Sequence, residues 1–457
     1  MSLAILGAVL ALLPGPHRPP TIPALREWHA APGAFELRPS SRIVGTGAEA
    51  TLLARELKRP LAPGATPAPG DVEPRLGSAD RQLGREGYRL EVGDSVRIEA
   101  RTAAGVFYGT RTLLQLLRHG NRIPAGSARD WPRYPERGLM IDNGRRYFTP
   151  AWIKREIELL AYLKLNQLHL HFSDNEGFRI ESESHPEVVS DQHLTKRQVR
   201  EIVEFARRRH VRVIPELDMP GHLRQALAAH PELRLPGSTD ALDISLPAAR
   251  RFCRELILEY LDLFDGRYWH AGADEYQGAT GAAYADFINW IDRLVRGHGR
   301  TLRIWHDGLS GGRLNRDVVV EWWTDHAGPT PRELLRQGHR VLNAGWWPTY
   351  YVAGGPLSEV HPSPKLAYET WQVNLFGGLA IDSPIPANPL QPVAASSRRV
   401  LGAELHVWND VPFRETPAEI ARGIAPRLRV LAQKTWDTPP PAGGYAGFLR
   451  VWNRVRP

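Results

Sequence analysis

Residues 137–174, RGLMIDNGRRYFTPAWIKREIELLAYLKLNQLHLHFSD, decide how this chain folds. Two short apolar runs, RGLMID (137–142) and QLHLHFS (167–173), flank PAWIKREIELLAYLK (150–164), where apolar residues recur at helical spacing. The unit reads strand, helix, strand. Six more strand-like runs follow: VRVIPEL (211–217), YWHAGAD (268–274), TLRIWHD (301–307), VVVEWW (318–323), HRVLNAG (339–345) and GAELHVW (402–408). Helical patterns such as TKRQVREIVEFARRR (195–209) fall between most of them. Eight strands alternating with helices predict an α/β fold, a parallel (β/α)8 TIM barrel over residues 131–457. A doubly wound open sheet is the rival, but no Gly-rich phosphate turn follows the first strand.

Working outward, WPRYPERG (131–138) is the punctuation that opens the barrel. Before it, residues 24–130 read as a small α+β domain. YRLEVGDSVRIEA (88–100) alternates around a GDS turn as a hairpin, GVFYGTRTLLQLL (105–117) is an amphipathic helix, and APGATPAPGD (62–71) is a loop. Residues 1–23 are a signal-like apolar segment, MSLAILGAVLALLPGP, running into the Pro-rich linker PGPHRPPTIP. The run has the length of an export-signal core and is too short to span a bilayer. The expectation is a secreted or cell-envelope protein without stable membrane insertion, with a cytoplasmic location left open.

Hydrophobic residues are 42% and charged residues 24% of the 457, the balance of a soluble globular protein with a sizeable core. The formal charge is +8, but the 58 basic residues are mostly Arg scattered through helical patterns. No Lys/Arg block interleaved with aromatics is present, which argues against nucleic acid as a partner. The single cysteine, Cys253 in RRFCRELILEYL, sits on an apolar helical stripe and reads as core. The oligomeric state stays open.

A parallel barrel works at the C-terminal ends of its strands. Those ends carry Asp142, Asp174, Glu216, Asp218, Asp274, Glu275, Asp307, Trp322, Trp323, Trp408 and Asp410. Carboxylates that accept hydroxyls, beside indoles that stack on C–H faces, suit a sugar. Adjacent Asp274 and Glu275 can both enter the mouth only if the strand ends there; a solvated turn is the competing reading. His169 and His171 share one strand face, and a metal with Asp174 is conceivable. No third ligand stands at clear spacing, so packing or a hydrogen-bonded role is favoured. DMPGH (218–222) aims Asp218 and His222 into one loop, or is a plain turn. Core packing competes with sugar stacking at each Trp. No G-x-S-x-G elbow supports a serine hydrolase.

RGLMIDNGRRYF, KLNQLHLHFSDNEGFRIES, VIPELDMPGH, HAGADE and VWND occur in this order. Together they resemble the family 20 glycoside hydrolases, the β-N-acetylhexosaminidases. The domain over 24–130 is similar to that family's N-terminal domain. The resemblance implies an exo-acting retaining hydrolase that removes terminal β-linked N-acetylhexosamine from a glycan or chitooligosaccharide. It implies no cofactor and no metal. Glu275 is then the general acid/base, and Asp274 orients the substrate's 2-acetamido group, whose oxygen attacks the anomeric carbon. Arg137 is expected to hold hydroxyls of the terminal sugar, with Asp174, Asp218, His222 and His270 supporting the site. Trp305, Trp322 and Trp408 are expected to line the pocket, Tyr351 rather than Tyr350 to bond the acetamido carbonyl, and Asp410 to read distant hydroxyls. Repulsion from Asp274 is expected to keep Glu275 protonated.

Four positions depart from the family pattern. Gly272-Ala273 stands for Gly-Gly, Trp408-Asn409-Asp410 for W-x-E, Tyr351-Val352-Ala353 for Y-L-D, and Asn175-Glu176 falls within the usual DDQG. A disaccharide-releasing relative such as a lacto-N-biosidase, and a sugar-binding protein without turnover, are the alternatives.

Overall fold

The computed structural model describes residues 18–279, 281–309, 311–354, 363–378 and 388–457. Most of the signal-like segment lies outside the described residues. Two compact units result: one ends at Trp131 and takes in Leu449–Arg456, and the other runs from Pro132 to Phe448. Among the described residues, no helix is long and apolar enough to cross a membrane.

In the first unit, β1 (Glu27–Glu36), β2 (Val72–Leu76), β3 (Tyr88–Val92), β4 (Val96–Ala100) and β5 (Arg122–Asp130) form a sheet in the order β1-β5-β3-β4-β2. β3 and β4 are the expected antiparallel hairpin. Tyr88, Leu90 and Val92 are buried while Arg89 and Glu91 are exposed, as period-two alternation requires. The helix Ala103–Leu116 is capped by Thr102 and packs against β3 and β4. Gly109 allows that approach, because a Cβ there would stand 2.3 Å from Ile98 Cγ2.

The second unit contains β6 (Glu136–Asp142), β7 (Gln167–His171), a short hairpin of β8 (Ser173–Asp174) and β9 (Gly177–Phe178), then β10 (Arg212–Glu216), β11 (Tyr268–His270), β12 (Thr301–Trp305), β13 (Val319–Trp322) and β14 (Arg340–Asn343). After these come β15 (Tyr350–Val352), the antiparallel pair β16 (Leu375–Gly378) and β17 (Asn388–Pro392), and β18 (Val400–Trp408). Strands β6, β7, β10 to β14 and β18 pair in parallel, and β14–β18 and β18–β6 ladders close the barrel. The eight strands are the eight expected. β14 pairs only the first half of β18; β15 takes over beside His406–Trp408. A register shift marks the closure, at Gly402 (φ +149°), where a Cβ would lie 1.7 Å from the Glu136 carbonyl oxygen.

The helices form for local reasons. Thr149 caps Pro150–Tyr162, and Pro150 suits the first turn, where no backbone donor is needed. Ile153, Ile157 and Leu160 bury completely on one face, each worth about 1.5–3 kcal/mol. Thr195 and Gln198 form a capping box at Lys196–Arg207, which buries Val199, Ile202, Val203 and Ala206. Cys253 is fully buried in Pro247–Leu261, and burial pushes its thiol up to about 12, so it is core.

The barrel interior is partly ionic. The Arg303 guanidinium donates to Glu136 and to Glu321 (2.9 Å), and Glu404 stands 3.8 Å away, all buried. Arg137 belongs to the far end of the barrel, which corrects its expected sugar-binding role. It is the second residue of β6, at the start of the strand. Its buried side chain donates from Nε and Nη2 to the Lys164 carbonyl (3.0 and 2.9 Å) and from Nη1 to that of Tyr134 (2.8 Å).

Candidate active site

β11 ends at His270, and the chain then turns sharply, with positive φ at Gly272 (+65°), Ala273 (+75°) and Glu275 (+49°). Gly272 is required, because a Cβ would sit 1.8 Å from Asp218 Oδ1. Ala273, where the family places a second glycine, takes a conformation that costs an L-residue about 1–2 kcal/mol. Two hydrogen bonds hold it there: its N–H donates to Asp218 Oδ1 (3.2 Å), and Tyr284 Oη donates to its carbonyl. This kink lets neighbouring acids diverge. Asp274 is buried; the Glu275 side chain is 59% exposed, and its backbone N–H donates to Asp307 Oδ2 (2.7 Å).

His222 stands between the acids and their support. Its Nε2 is 3.3 Å from a Glu275 oxygen and 3.7 Å from Asp274, while its Nδ1 is 3.2 Å from Asp174. Asp174 also meets His171 (2.8 Å), which meets Glu216 (2.6 Å). His270 lies beneath, 2.9 Å from Glu216, and accepts from the Gly272 N–H. Glu216 is also 3.0 Å from His169, so the histidine pair does have a common carboxylate, contrary to the reading of its spacing. The Glu216 carboxylate outweighs burial and raises His169 to about 9 and His171 well above its usual range, which favours the protonated rings as ion-pair partners of Glu216.

The cation at the mouth is Arg145, three residues past β6, a residue missed in the sequence reading. It contacts Asp142 (3.2 Å) and Asp174 (2.9 Å), lies 5.1 Å over the Trp408 ring, and is 4.0 Å from Asp410 and 3.6 Å from Glu176. Asp410 is therefore placed with Arg145 at the rim, its side chain 42% exposed.

Strand parity redistributes the aromatics. Trp305 is buried and donates to Glu216 (2.9 Å), with its ring 5.9 Å from Trp408. Trp322 corrects to core: it is fully buried against His306 and Phe376. Trp323 is the residue that meets the site, donating to Asp307 Oδ1 (2.9 Å). Its ring lies 6.3 Å from that of Tyr350, nearly parallel. Tyr351 also corrects: its hydroxyl donates to Glu415 (2.6 Å) and Arg427 stacks on its ring. Tyr350 faces the mouth instead, 5.8 Å from Trp408. A groove of about 990 Å³ beside Glu275 is lined by His222, Asp240, Asp307, Trp323 and His326.

The electrostatics invert the expected protonation order. Asp274 is raised to about 7, by burial first, despite the His222 cation; Asp307 and Glu275 add to the rise. Its Oδ1 is buried and accepts no hydrogen bond from a described residue. Glu275 is lowered, because His222 faces it and outweighs partial burial. His222 itself is raised well above its usual range by Asp274 and Asp218, which outweigh burial.

The models of the glycosyl hydrolase family 20 catalytic domain and of that family's domain 2 match residues 134–283 with 278–439, and 18–131. A lacto-N-biosidase of Bifidobacterium bifidum is 31% identical across 92% of this chain, which spans 40% of that protein's length. A β-N-acetylhexosaminidase of Cellulomonas fimi is 30% identical, covering 85% of this chain and 82% of that one. A Streptomyces plicatus β-hexosaminidase variant, solved with its product GlcNAc, superposes with a TM-score of 0.79 at 26% identity, over 95% of each chain. With its barrel, acid pair and aromatic pocket, this chain belongs to glycosyl hydrolase family 20.

Proposed function

We propose that this chain is an exo-acting glycosidase that removes terminal β-linked N-acetylhexosamine with retention, using the substrate's acetamido group as nucleophile. The observation that carries the reading is Asp274 Oδ1, buried in the mouth without a donor among the described residues. An acetamido N–H supplies one. Accepting it lowers the Asp274 carboxyl from about 7 and favours the anion. The acetamido oxygen, oriented by Tyr350 Oη, then attacks the anomeric carbon. Asp274 stabilises the positive charge that develops on the oxazolinium ring. Glu275, desolvated by the bound aglycone, protonates the departing oxygen and later takes a proton from the water that opens the ring. Trp305, Trp323 and Trp408 enclose the sugar, and Arg145 with Asp410 holds its far hydroxyls. Chitooligosaccharides are within this substrate class, and the signal-like segment supports export.

The test is hydrolysis of an aryl β-N-acetylglucosaminide, with a thiazoline mimic of the intermediate as competitor. Turnover inhibited by the thiazoline is expected; no turnover of any aryl N-acetylhexosaminide defeats the reading.

A second reading, release of a disaccharide, is favoured by the far end of the pocket. Asp410 is one methylene shorter than the family's Glu and stands 4.0 Å from Arg145, with 42% of its side chain exposed. An aryl lacto-N-bioside hydrolysed faster than the aryl N-acetylglucosaminide would select it.

A further inference from the structure

The tripeptide His-Pro-Glu occurs twice, at 185–187 and 230–232. Each copy opens a short 3-10 turn, Pro186–Val188 and Pro231–Leu233, with the histidine as its N-cap at nearly the same φ and ψ (−138°, 62° and −126°, 61°). Both imidazoles pack on one ring, Phe252 of the helix Pro247–Leu261, at 4.8 and 5.1 Å. Glu255 is on the same helix face, three residues on.

The polar contacts are unusual. His185 Nδ1 is 3.1 Å and His230 Nε2 2.7 Å from the same oxygen, Glu187 Oε1. The other nitrogens face two further carboxylates: His185 Nε2 is 3.1 Å from Glu255, and His230 Nδ1 3.3 Å from Glu232. Four ring nitrogens thus meet four carboxylate contacts, but two neutral imidazoles carry only two N–H groups. If those protons lie toward Glu255 and Glu232, two nitrogen lone pairs point at the Glu187 oxygen. That arrangement repels unless a metal ion, or a second proton on each ring, fills it. Imidazole held by an outer carboxylate is also how metal-binding histidines are oriented. His185, Glu187 and His230 each offer a ligand atom, and these atoms lie within 4.8 Å of one another. Tetrahedral zinc separates N and O ligands by about 3.3 Å, a few tenths beyond the contacts here.

We propose that His185 Nδ1, Glu187 Oε1 and His230 Nε2 bind a zinc-class divalent cation, with solvent at the fourth position and Glu255 and Glu232 as outer partners. The site is a clamp between two loops. His185 follows the β8–β9 hairpin, which brings Asp174 and Glu176 to the mouth, and His230 follows the Arg224–Ala229 helix that leads away from His222. Gln225 Nε2, donating to the Val188 carbonyl (3.3 Å), already ties the same two loops.

The experiment uses the full chain without a histidine tag, stripped with chelator and dialysed, then titrated with zinc chloride by calorimetry and, in parallel, with cobalt(II) by visible absorption. One equivalent of zinc, a raised melting temperature and tetrahedral cobalt bands are expected. Glu187→Gln and His230→Asn should abolish all three. Glu255→Gln, at an exposed position that leaves the fold intact, should weaken zinc about 10- to 100-fold. The proposal is overturned if the stripped protein binds no zinc, which would mean a cluster held by hydrogen bonds alone. Zinc binding unchanged in Glu255→Gln, and in whichever of the other two variants folds, would equally overturn it by placing the metal elsewhere.

Discussion

His222 Nε2 stands 3.3 Å from the Glu275 carboxylate and 3.7 Å from that of Asp274, so one cation governs both acids of the pair. It lowers Glu275 and opposes the burial that raises Asp274 to about 7. In the proposed mechanism the productive form has Asp274 ionised and Glu275 protonated, the reverse of the order that burial and His222 favour. The pair should therefore titrate in two coupled steps, with kcat/KM following a bell between them. Removing the cation in His222→Asn raises both steps, and the bell should move to higher pH. Profiles of kcat/KM on an aryl substrate check this; superimposable limbs would exclude His222 from the titration.

Glu275→Gln lacks the proton donor and should lose about 10²- to 10⁴-fold in turnover, with a smaller loss for leaving groups that hardly need protonation. Asp274→Asn keeps the shape but not the charge, so its penalty should persist across leaving groups and its affinity for the thiazoline should fall. Turnover and thiazoline inhibition measured with a good and a poor leaving group separate the two. An Asp274→Asn variant that behaves like the parent removes this residue from the chemistry.

Arg145 and Arg137 should fail in different ways. Arg145→Ala takes the cation from a rim that it shares with buried Asp142 and Asp174 and with Asp410, and should cut the kcat/KM of the folded protein as well as costing about 3–5 kcal/mol of stability. Arg137→Ala leaves the Lys164 and Tyr134 carbonyls buried without these donors, a loss of about 2–4 kcal/mol. Its folded fraction should keep the parent's kcat/KM. Denaturant unfolding beside kinetics decides; a stable but inactive Arg137→Ala would return that residue to the site.

The same contrast applies to neighbouring tyrosines. Tyr350→Phe should lower kcat at least about 10-fold, because the hydroxyl is assigned to the acetamido oxygen whose charge changes in the reaction. Tyr351→Phe loses only its bond to Glu415, about 1 kcal/mol. Equal kinetic losses in both would mean that neither faces the sugar.

Eight strands are legible in the sequence because each is a short apolar run between helical periods, a local property. The acid pair is legible because it follows such a run. Arg137 precedes the apolar run LMI and so lies at the strand's start, away from the mouth, whereas Arg145 follows its end. Trp322 and Tyr351 failed on parity. On β13 Trp322 lies in the core while the next residue, Trp323, meets the site, and the parity of β15 depends on its pairing Tyr350 with His406, a contact between distant segments. Glu216 bridging His169 and His171 is likewise a property of the closed ring of strands. The protonation order was inverted because exposure, which sequence does not display, differs between adjacent acids.

One wall of the sugar pocket is borrowed. β15, which brings Tyr350 to the mouth, is not among the eight closing strands; it is an excursion of the chain between β14 and β18, laid along the upper half of β18 where β14 has already ended. The acid pair and this wall are thus carried by different segments of the chain, the first after β11 and the second on β15. A substitution on β15 would therefore reshape the wall without touching the strand that leads into Asp274 and Glu275.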